Sequence, residues 1–350
     1  MPKKTNAKKL NVGVIGLGEI SGAHLPRYLA YERANLYAVC DNDPEWLPDA
    51  AAKYPTAKAF SDYREMLADP KLDAVSICVP TKLHAPLTIA ALKAGKHVLC
   101  EKPMATSPAE AAAMKRAAAK AGKKLMISHN QRMEENVQHI RKLADDGFFG
   151  DIYLMRIGWR RPMGMMPPRI NKRPNGKEYN RNFFNEKDNG GGVLRDLGSH
   201  LLDLSLFITG FPKPVEVTSS LFKKFYPDGY IPKKHICDSE DMAVAHIKFA
   251  NGLTMQLEVS YGSHVEEELV FTEIYGVRGG ASRRNGKLRL FTFENGKIVV
   301  KPVEKYDFKS KPTMHAFVDA VLDDTDVPIP PDEGCKVVAL LDSIYKAAKW

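Results

Sequence analysis

The chain has 350 residues, 44% hydrophobic and 27% charged, a composition that allows about two ordinary globular domains with real cores. Its net charge of +9 is partly held by Lys3, Lys4, Lys8 and Lys9. With no aromatic-interleaved basic helix beside it, that charge reads as a solubility tail rather than a nucleic-acid arm, and no apolar run approaches the roughly eighteen residues a membrane span needs.

In chain order, the first organised stretch is Val12–His24. The apolar run Asn11–Ile15 predicts a strand, Gly16-Leu17-Gly18 a tight turn, and the residues beyond it a helix. This geometry cradles a dinucleotide pyrophosphate: glycines let the backbone approach the phosphates, and the helix start offers N–H groups with partial positive charge. Gly16, Gly18, Glu19 and Ile20 are therefore candidate cofactor contacts. The third small position of the G-x-G-x-x-G pattern is Ser21, a modest departure. A second strand, Asn35–Cys40, ends at Asp41, 23 residues beyond Gly18 and near the usual spacing for an acid that accepts the ribose hydroxyls. The neighbourhood Asp41-Asn42-Asp43-Pro44-Glu45 carries no cation, so NAD is expected over NADP. The alternative is an Asp that caps the next helix.

Period alternation continues with a helix over Tyr63–Ala68, a strand over Ala74–Val79 and a helix over Ala85–Ala94. A strand over His97–Cys100, a helix over Pro108–Ala121 and a strand over Lys124–Ser128 follow. Strands alternating with helices of about ten residues predict βαβ units and a parallel sheet. Ligands of such sheets sit at the strands' carboxyl ends, which adds Pro80, Thr81, His84, Glu101 and Lys102 to the cofactor-side candidates. Lys102, pressed between a strand end and Pro103, either presents its ammonium to a substrate oxygen or is a surface lysine on a loop.

Three matching pieces carry a family resemblance: the Gly13–His24 turn, Val79-Pro80-Thr81 with His84, and Val98-Leu99-Cys100-Glu101-Lys102-Pro103. The sequence resembles the Gfo/Idh/MocA family of dinucleotide-dependent sugar and polyol oxidoreductases. The resemblance implies an active-site role for Lys102 and a cis peptide before Pro103.

Beyond Ser128 the pattern changes. A helix over Glu134–Asp146 is followed by strand-rich sequence: Ile152–Trp159, Val215–Phe225, Met242–Phe249, Leu253–Tyr261, Leu269–Val277, Leu288–Phe293 and Ile298–Val303. Asn251-Gly252, Asn285-Gly286 and Asn295-Gly296 supply tight turns. Leu253, Met255, Leu257 and Val259 alternate with Thr254, Gln256, Glu258 and Ser260, which predicts an antiparallel sheet with one covered face. Gly190-Gly191-Gly192 leads into Asp196, His200 and Asp203, which share one stripe of an ideal helix opposite Leu197, Leu201, Leu204 and Phe207. A carboxylate one turn before an imidazole can orient it for proton removal from an alcohol; the alternative is a capping Asp with a packed His. The glycine triplet is expected to let something approach the helix start closely.

The resemblance extends here as well. The family's glycine-rich run into D-x-G-x-H falls on Asp196 and His200, which with Lys102 would form its catalytic trio. The tract from Trp159-Arg160-Arg161 to Asp196 looks most like the branch that oxidises sugar rings at C3. Within the family, inositol dehydrogenation, glycoside hydrolysis with tightly held and recycled NAD, and a non-catalytic sugar sensor are the competing readings. The long segment Arg160–Asn182 is rich in Pro, Met and Arg, and between Arg156 and Lys187 there are nine Lys/Arg against two Glu. Trp159, Arg160, Arg161, Tyr179 and Asn180 are candidates for substrate recognition, unless the cluster is simply solvated; Tyr261 and His264 are weaker ones.

The fold class expected is α/β followed by α+β. A disordered basic tail covers 1–9, a Rossmann parallel sheet 10–129, and a substrate and oligomerisation domain with an open, mainly antiparallel sheet 130–331. A helix over 332–350, with Val337, Leu340, Leu341, Ile344 and Tyr345 on one side, packs back on the body. Cys40, Cys78, Cys100, Cys237 and Cys335 show no C-x-x-C spacing and HExxH is absent, so reduced thiols, a cytoplasmic protein and no metal are expected. The partners expected are a carbohydrate and a second copy of the chain, as a homodimer or homotetramer built through the C-terminal sheet, with no nucleic acid and no membrane.

Overall fold

The computed structural model describes residues 9–163, 185–224, 238–303, 305–306 and 308–349. Contacts group it into two compact units, Met1–Asn130 with Lys311–Cys335 and Gln131–Ser310 with Lys336–Trp350. The chain opens with β1 (Leu10–Ile15), α1 (Ser21–Ala30), β2 (Ala34–Cys40), α2 (Trp46–Lys53), β3 (Lys58–Phe60) and α3 (Tyr63–Ala68). Next come β4 (Ala74–Ile77), α4 (His84–Lys93), β5 (His97–Cys100), α5 (Pro108–Ala121) and β6 (Leu125–Ile127). The second unit contains α6 (Glu135–Asp145), β7 (Ile152–Pro162), α7 (Glu186–Asn189), α8 (Ser199–Thr209), β8 (Pro214–Phe222) and β9 (Met242–Phe249). It continues with β10 (Thr254–Ser263), β11 (Leu269–Gly276), β12 (Gly279–Arg284), β13 (Lys287–Glu294) and β14 (Lys297–Val303). α9 (Thr313–Leu322), α10 (Pro331–Ala347) and β15 (Ala348–Lys349) close the chain.

The first unit is a six-stranded parallel sheet in the order β3-β2-β1-β4-β5-β6, as the βαβ alternation requires. Its central strands are covered on both faces: Val12, Val14, Ala74, Val75 and Ile77 are all completely buried. The register aligns the carboxyl ends, pairing Ile15 with both Cys40 and Ile77, Ile77 with Cys100, and Cys100 with Ile127. Backbone bonds carry that row one residue further, from Gly16, Cys78, Glu101 and Ser128 N–H to the carbonyls of Cys40, Ile15, Ile77 and Cys100. Residues 311–335 group with this unit, so α9 lies here. Arg33 reaches from before β2 to the carboxylates of Asp319 and Asp323.

The second unit is a nine-stranded sheet, β14-β13-β12-β11-β7-β10-β9-β8-β15. Its pairs are antiparallel except β7 with β10 and β8 with the two-residue β15. The alternation expected along β10 is present: Met255, Leu257 and Val259 are buried and Gln256 is exposed, with Ser260 the exception as a buried serine. One face packs against residues of α6, α8 and α10, among them Val137, Leu201, Leu204, Leu341 and Ile344. β12 escapes the sequence reading because Gly279-Gly280-Ala281-Ser282-Arg283-Arg284 has no apolar alternation; its register with β11 and β13 defines it.

The expected polar stripe on α8 is not formed. Leu194–Gly198 is a turn of π-helix, which widens the spiral before α8 begins and breaks the 3.6-residue register assumed for Asp196, His200 and Asp203. Nor is there an apolar face opposed to a polar one, because α8 is buried nearly all round. Asp203 enters the interior, where both its oxygens accept from Arg132, at 2.7 Å from Nε and 2.6 Å from Nη2, with both side chains 1% exposed. The guanidinium also lies over the rings of Phe207 and Phe211. Removing one partner strands a buried charge, so Asp203→Ala is expected to cost about 3–5 kcal/mol in thermal or denaturant unfolding. A double replacement by apolar residues should recover much of that loss, and an unfolding midpoint unchanged in Asp203→Ala would show that the pair is not an anchor.

Candidate active site

In the first unit the candidates lie along the carboxyl edge of the sheet. Gly16 has φ +91°, and a Cβ there would collide with the carbonyl of Cys78, so glycine is required. A Cβ on Gly18 would meet nothing within 4 Å, which leaves open space over the turn for a ligand backbone. Ser21, the departure from the glycine pattern, is buried and donates from Oγ to the Gly18 carbonyl at 2.7 Å, tying the start of α1 to the turn. Glu19 and Ile20 are exposed beside it. Asp41 accepts from the Leu17 amide at 2.7 Å and from the Asp43 amide at 2.9 Å, so its carboxylate stands against the glycine turn. These features fit a dinucleotide: a Cβ-free approach, a helix start behind it and an acid at the end of the next strand.

Pro80 is exposed after β4 and Thr81 is buried. His84 is 1% exposed, with Nδ1 2.8 Å from the Pro103 carbonyl and Nε2 2.9 Å from that of Val79. Both ring nitrogens thus face carbonyl acceptors, and the neutral imidazole donates its single N–H to one of the two edge loops between which it lies. Burial holds it below the ordinary histidine range, against the pull of the two carbonyls. The Lys102–Pro103 peptide is cis. From Val98 to Ala105 every residue is buried except Lys102, which is half-exposed.

Beneath Lys102 lies a polar chain that the motif reading does not contain. Glu101 Oε2 accepts from the Lys102 amide at 3.1 Å and Oε1 faces His24 Nε2 at 2.9 Å. His24 Nδ1 faces Ser76 Oγ at 3.2 Å, and Ser76 meets the Tyr28 hydroxyl at 2.6 Å. Burial alone would push the Glu101 carboxyl up; the hydrogen bonds from His24 and Ser128 and the charge of Lys102 hold it below the ordinary range. The available signal is a serine inside the apolar run of β4; His24 and Tyr28 share α1 with Ser21 and Arg27 and do not stand out.

In the second unit, every residue from Gly191 to Leu206 is buried except two, Asp196 and His200. Asp196 Oδ2 accepts from the buried Tyr261 hydroxyl at 3.2 Å. The ring of Trp159 lies 6.0 Å from that of His200, inclined at 47°. Its indole N–H donates to Glu268 Oε1 at 2.7 Å, which also takes Arg161 Nε at 3.1 Å, and the Arg161 guanidinium rests 5.0 Å over the indole. Tyr261 therefore joins the pair, and Glu268, absent from the sequence reading, fixes the aromatic ring.

Arg160 does not join them. Side chains alternate along a strand, so Arg160 faces away from Trp159 and pairs instead with Glu258 at 3.2 Å. The guanidinium that stacks on the indole and shares Glu268 with it is that of Arg161. His264 is exposed; Tyr179 and Asn180 lie outside the described residues. Replacing Glu268 with Ala should free the indole and shift the fluorescence emission of Trp159. An unchanged spectrum would mean that Trp159 holds its place without that carboxylate.

A β3-β2-β1-β4-β5-β6 sheet with a glycine turn at its switch point defines an NAD(P)-binding protein. Residues 10–129 match the profile described as "Oxidoreductase family, NAD-binding Rossmann fold", and residues 137–282 the one described as "GFO/IDH/MocA C-terminal domain". The chain belongs to the Gfo/Idh/MocA family of oxidoreductases. It is 28% identical to D-glucoside 3-dehydrogenase of Escherichia coli (strain K12), over 100% of this chain and 98% of that protein. It is also 28% identical to levoglucosan dehydrogenase of Pseudarthrobacter phenanthrenivorans, over 78% of this chain and 73% of the relative. A solved levoglucosan dehydrogenase in complex with NADH shares the fold at a TM-score of 0.84 and 23% identity, covering 97% of both chains.

Proposed function

We propose that the protein oxidises a secondary hydroxyl of a sugar or glycoside, at ring C3, with NAD. The observation that carries this reading is that Asp196 and His200 alone reach the surface of a buried stretch, beside an indole held as a flat platform. An aromatic platform suits the apolar face of a sugar ring, and an imidazole suits removal of an alcohol proton. The full-length similarity to a D-glucoside 3-dehydrogenase favours C3 over the inositol alternative.

In this reading His200 takes the hydroxyl proton and Asp196, held by Tyr261, keeps the substrate or the imidazole in register. The Lys102 ammonium draws charge from the oxygen as the C–O bond becomes a carbonyl. When bound, oxidised nicotinamide supplies the acceptor for the hydride, so an alcohol becomes a ketone with release of one proton. NAD is favoured over NADP because Asp41, against the glycine turn, would repel a 2′-phosphate and no cation follows it before Lys53.

The test is absorbance at 340 nm with NAD or NADP and a panel of methyl glucosides, free sugars and inositols. Growth with NAD and a glucoside, and a 3-keto product by NMR, is the expected result. Response only to inositols overturns the C3 assignment, and sugar binding without any reduced cofactor points to a sensor. Lys102→Ala should lose about 10²–10³-fold in kcat while still binding NADH; near-normal kcat removes Lys102 from the chemistry.

A further inference from the structure

The space that the glycine triplet creates is already filled. A Cβ on Gly192 would collide with the backbone carbonyl of Glu240, and one on Gly191 with the hydroxyl of Tyr345. Gly190 and Gly191 also have φ of +73° and +150°, where other residues are disfavoured. The close approach that these glycines permit is therefore made by the protein itself.

Glu240 lies in the run Ser239-Glu240-Asp241, all three of which are 1% exposed or less. Acidic residues are almost never this buried unless partnered, and the partners here are specific. Glu240 Oε2 accepts from the Gly192 amide at 2.9 Å, its backbone carbonyl from Val193 at 3.1 Å, and Oε1 from Leu194 at 3.0 Å. The first N–H groups of a helical segment have no acceptor within it, and one distant residue receives three in succession. Tyr345, on α10, donates to the same Oε1 at 2.7 Å. Burial and the charge of Glu240 push the Tyr345 hydroxyl far up, so it remains a donor at any working pH. Burial raises the Glu240 carboxyl as well, against the pull of its donors. The Arg195 guanidinium lies 5.2 Å over the Tyr345 ring and its Nε donates to the Gly190 carbonyl at 2.7 Å, closing the arrangement from the other side.

We propose that Glu240 and Tyr345 are positioning residues: together they clamp the Gly190–Leu194 turn and thereby set where Asp196 and His200 stand. The inference rests on the reading that those two side chains serve the substrate. The transmission is short, because the Asp196 amide bonds to the Gly192 carbonyl at 3.1 Å and the segment then runs unbroken to His200. Misplacement of a reacting group by about 1 Å can cost about 10²-fold in rate. The sequence reading gives the C-terminal helix no chemistry; in this arrangement its Tyr345 is part of the support under the reactive pair.

The experiment compares Tyr345→Phe, Glu240→Gln and Glu240→Ala with the unaltered chain. Steady-state kinetics with methyl glucoside and NAD are run beside hydrogen-exchange mass spectrometry of peptides covering 190–200. Tyr345→Phe should lower kcat about tenfold or more with the KM for NAD unchanged, and speed exchange at 192–194 while peptides from β1 and β4 keep their protection. Gln, which retains one acceptor oxygen, should restore part of what Ala loses. If Tyr345→Phe stays within twofold of the unaltered chain in both kcat and exchange, the clamp is refuted. Should Glu240→Ala not fold, Tyr345→Phe, which keeps the ring and removes only the hydroxyl, decides the matter. If the unaltered chain oxidises no sugar, the functional reading fails on its own, and the exchange measurement still judges the clamp.

Discussion

Each candidate reactive group emerges at a break in burial, and the interior around that break determines where it stands. Lys102 is the one half-exposed residue between Val98 and Ala105, and Asp196 with His200 are the two between Gly191 and Leu206. Close-packed interiors leave a buried backbone little freedom. A side chain that leaves such a backbone inherits its position from the core rather than from a loop. In the first unit that core is the aligned row of strand ends, and in the second it is α8, held by the Arg132–Asp203 pair and packed against one face of the sheet.

The two units illustrate how far pattern reading extends. The parallel sheet was legible because strictly local signals coincide there: apolar runs of strand length, helices of about ten residues and glycines closing them. Lys102, Asp196 and His200 are candidates through short motifs alone. What stayed hidden depends on partners distant in sequence. Glu268 lies 109 residues from the indole that it holds, and Tyr345 lies 105 from Glu240. Nothing local marks Glu268 as different from Glu266 or Glu267.

Other misses have different causes. The π-turn at Leu194–Gly198 invalidates a helical wheel that assumes 3.6 residues per turn; such a wheel sets Asp203 on the stripe of His200, whereas it belongs to the interior. Adjacency in sequence groups Arg160 with Trp159, although neighbours on a strand face opposite ways. β12 has two glycines and two arginines where a strand pattern would show alternation. The spacing of Met314, Phe317 and Val318 was a fair signal for α9, whereas its grouping with the first unit was not readable from composition.

The setting of Trp159 carries an optical consequence. The chain has three tryptophans, Trp46, Trp159 and Trp350, and of these Trp159 faces the imidazole of His200 with its N–H fixed by a carboxylate and a guanidinium on its face. Its emission is thereby tied to the electric field and hydration at that one spot. A chain retaining this indole alone would carry a built-in lamp for changes around His200, readable without coupling to any chemical step.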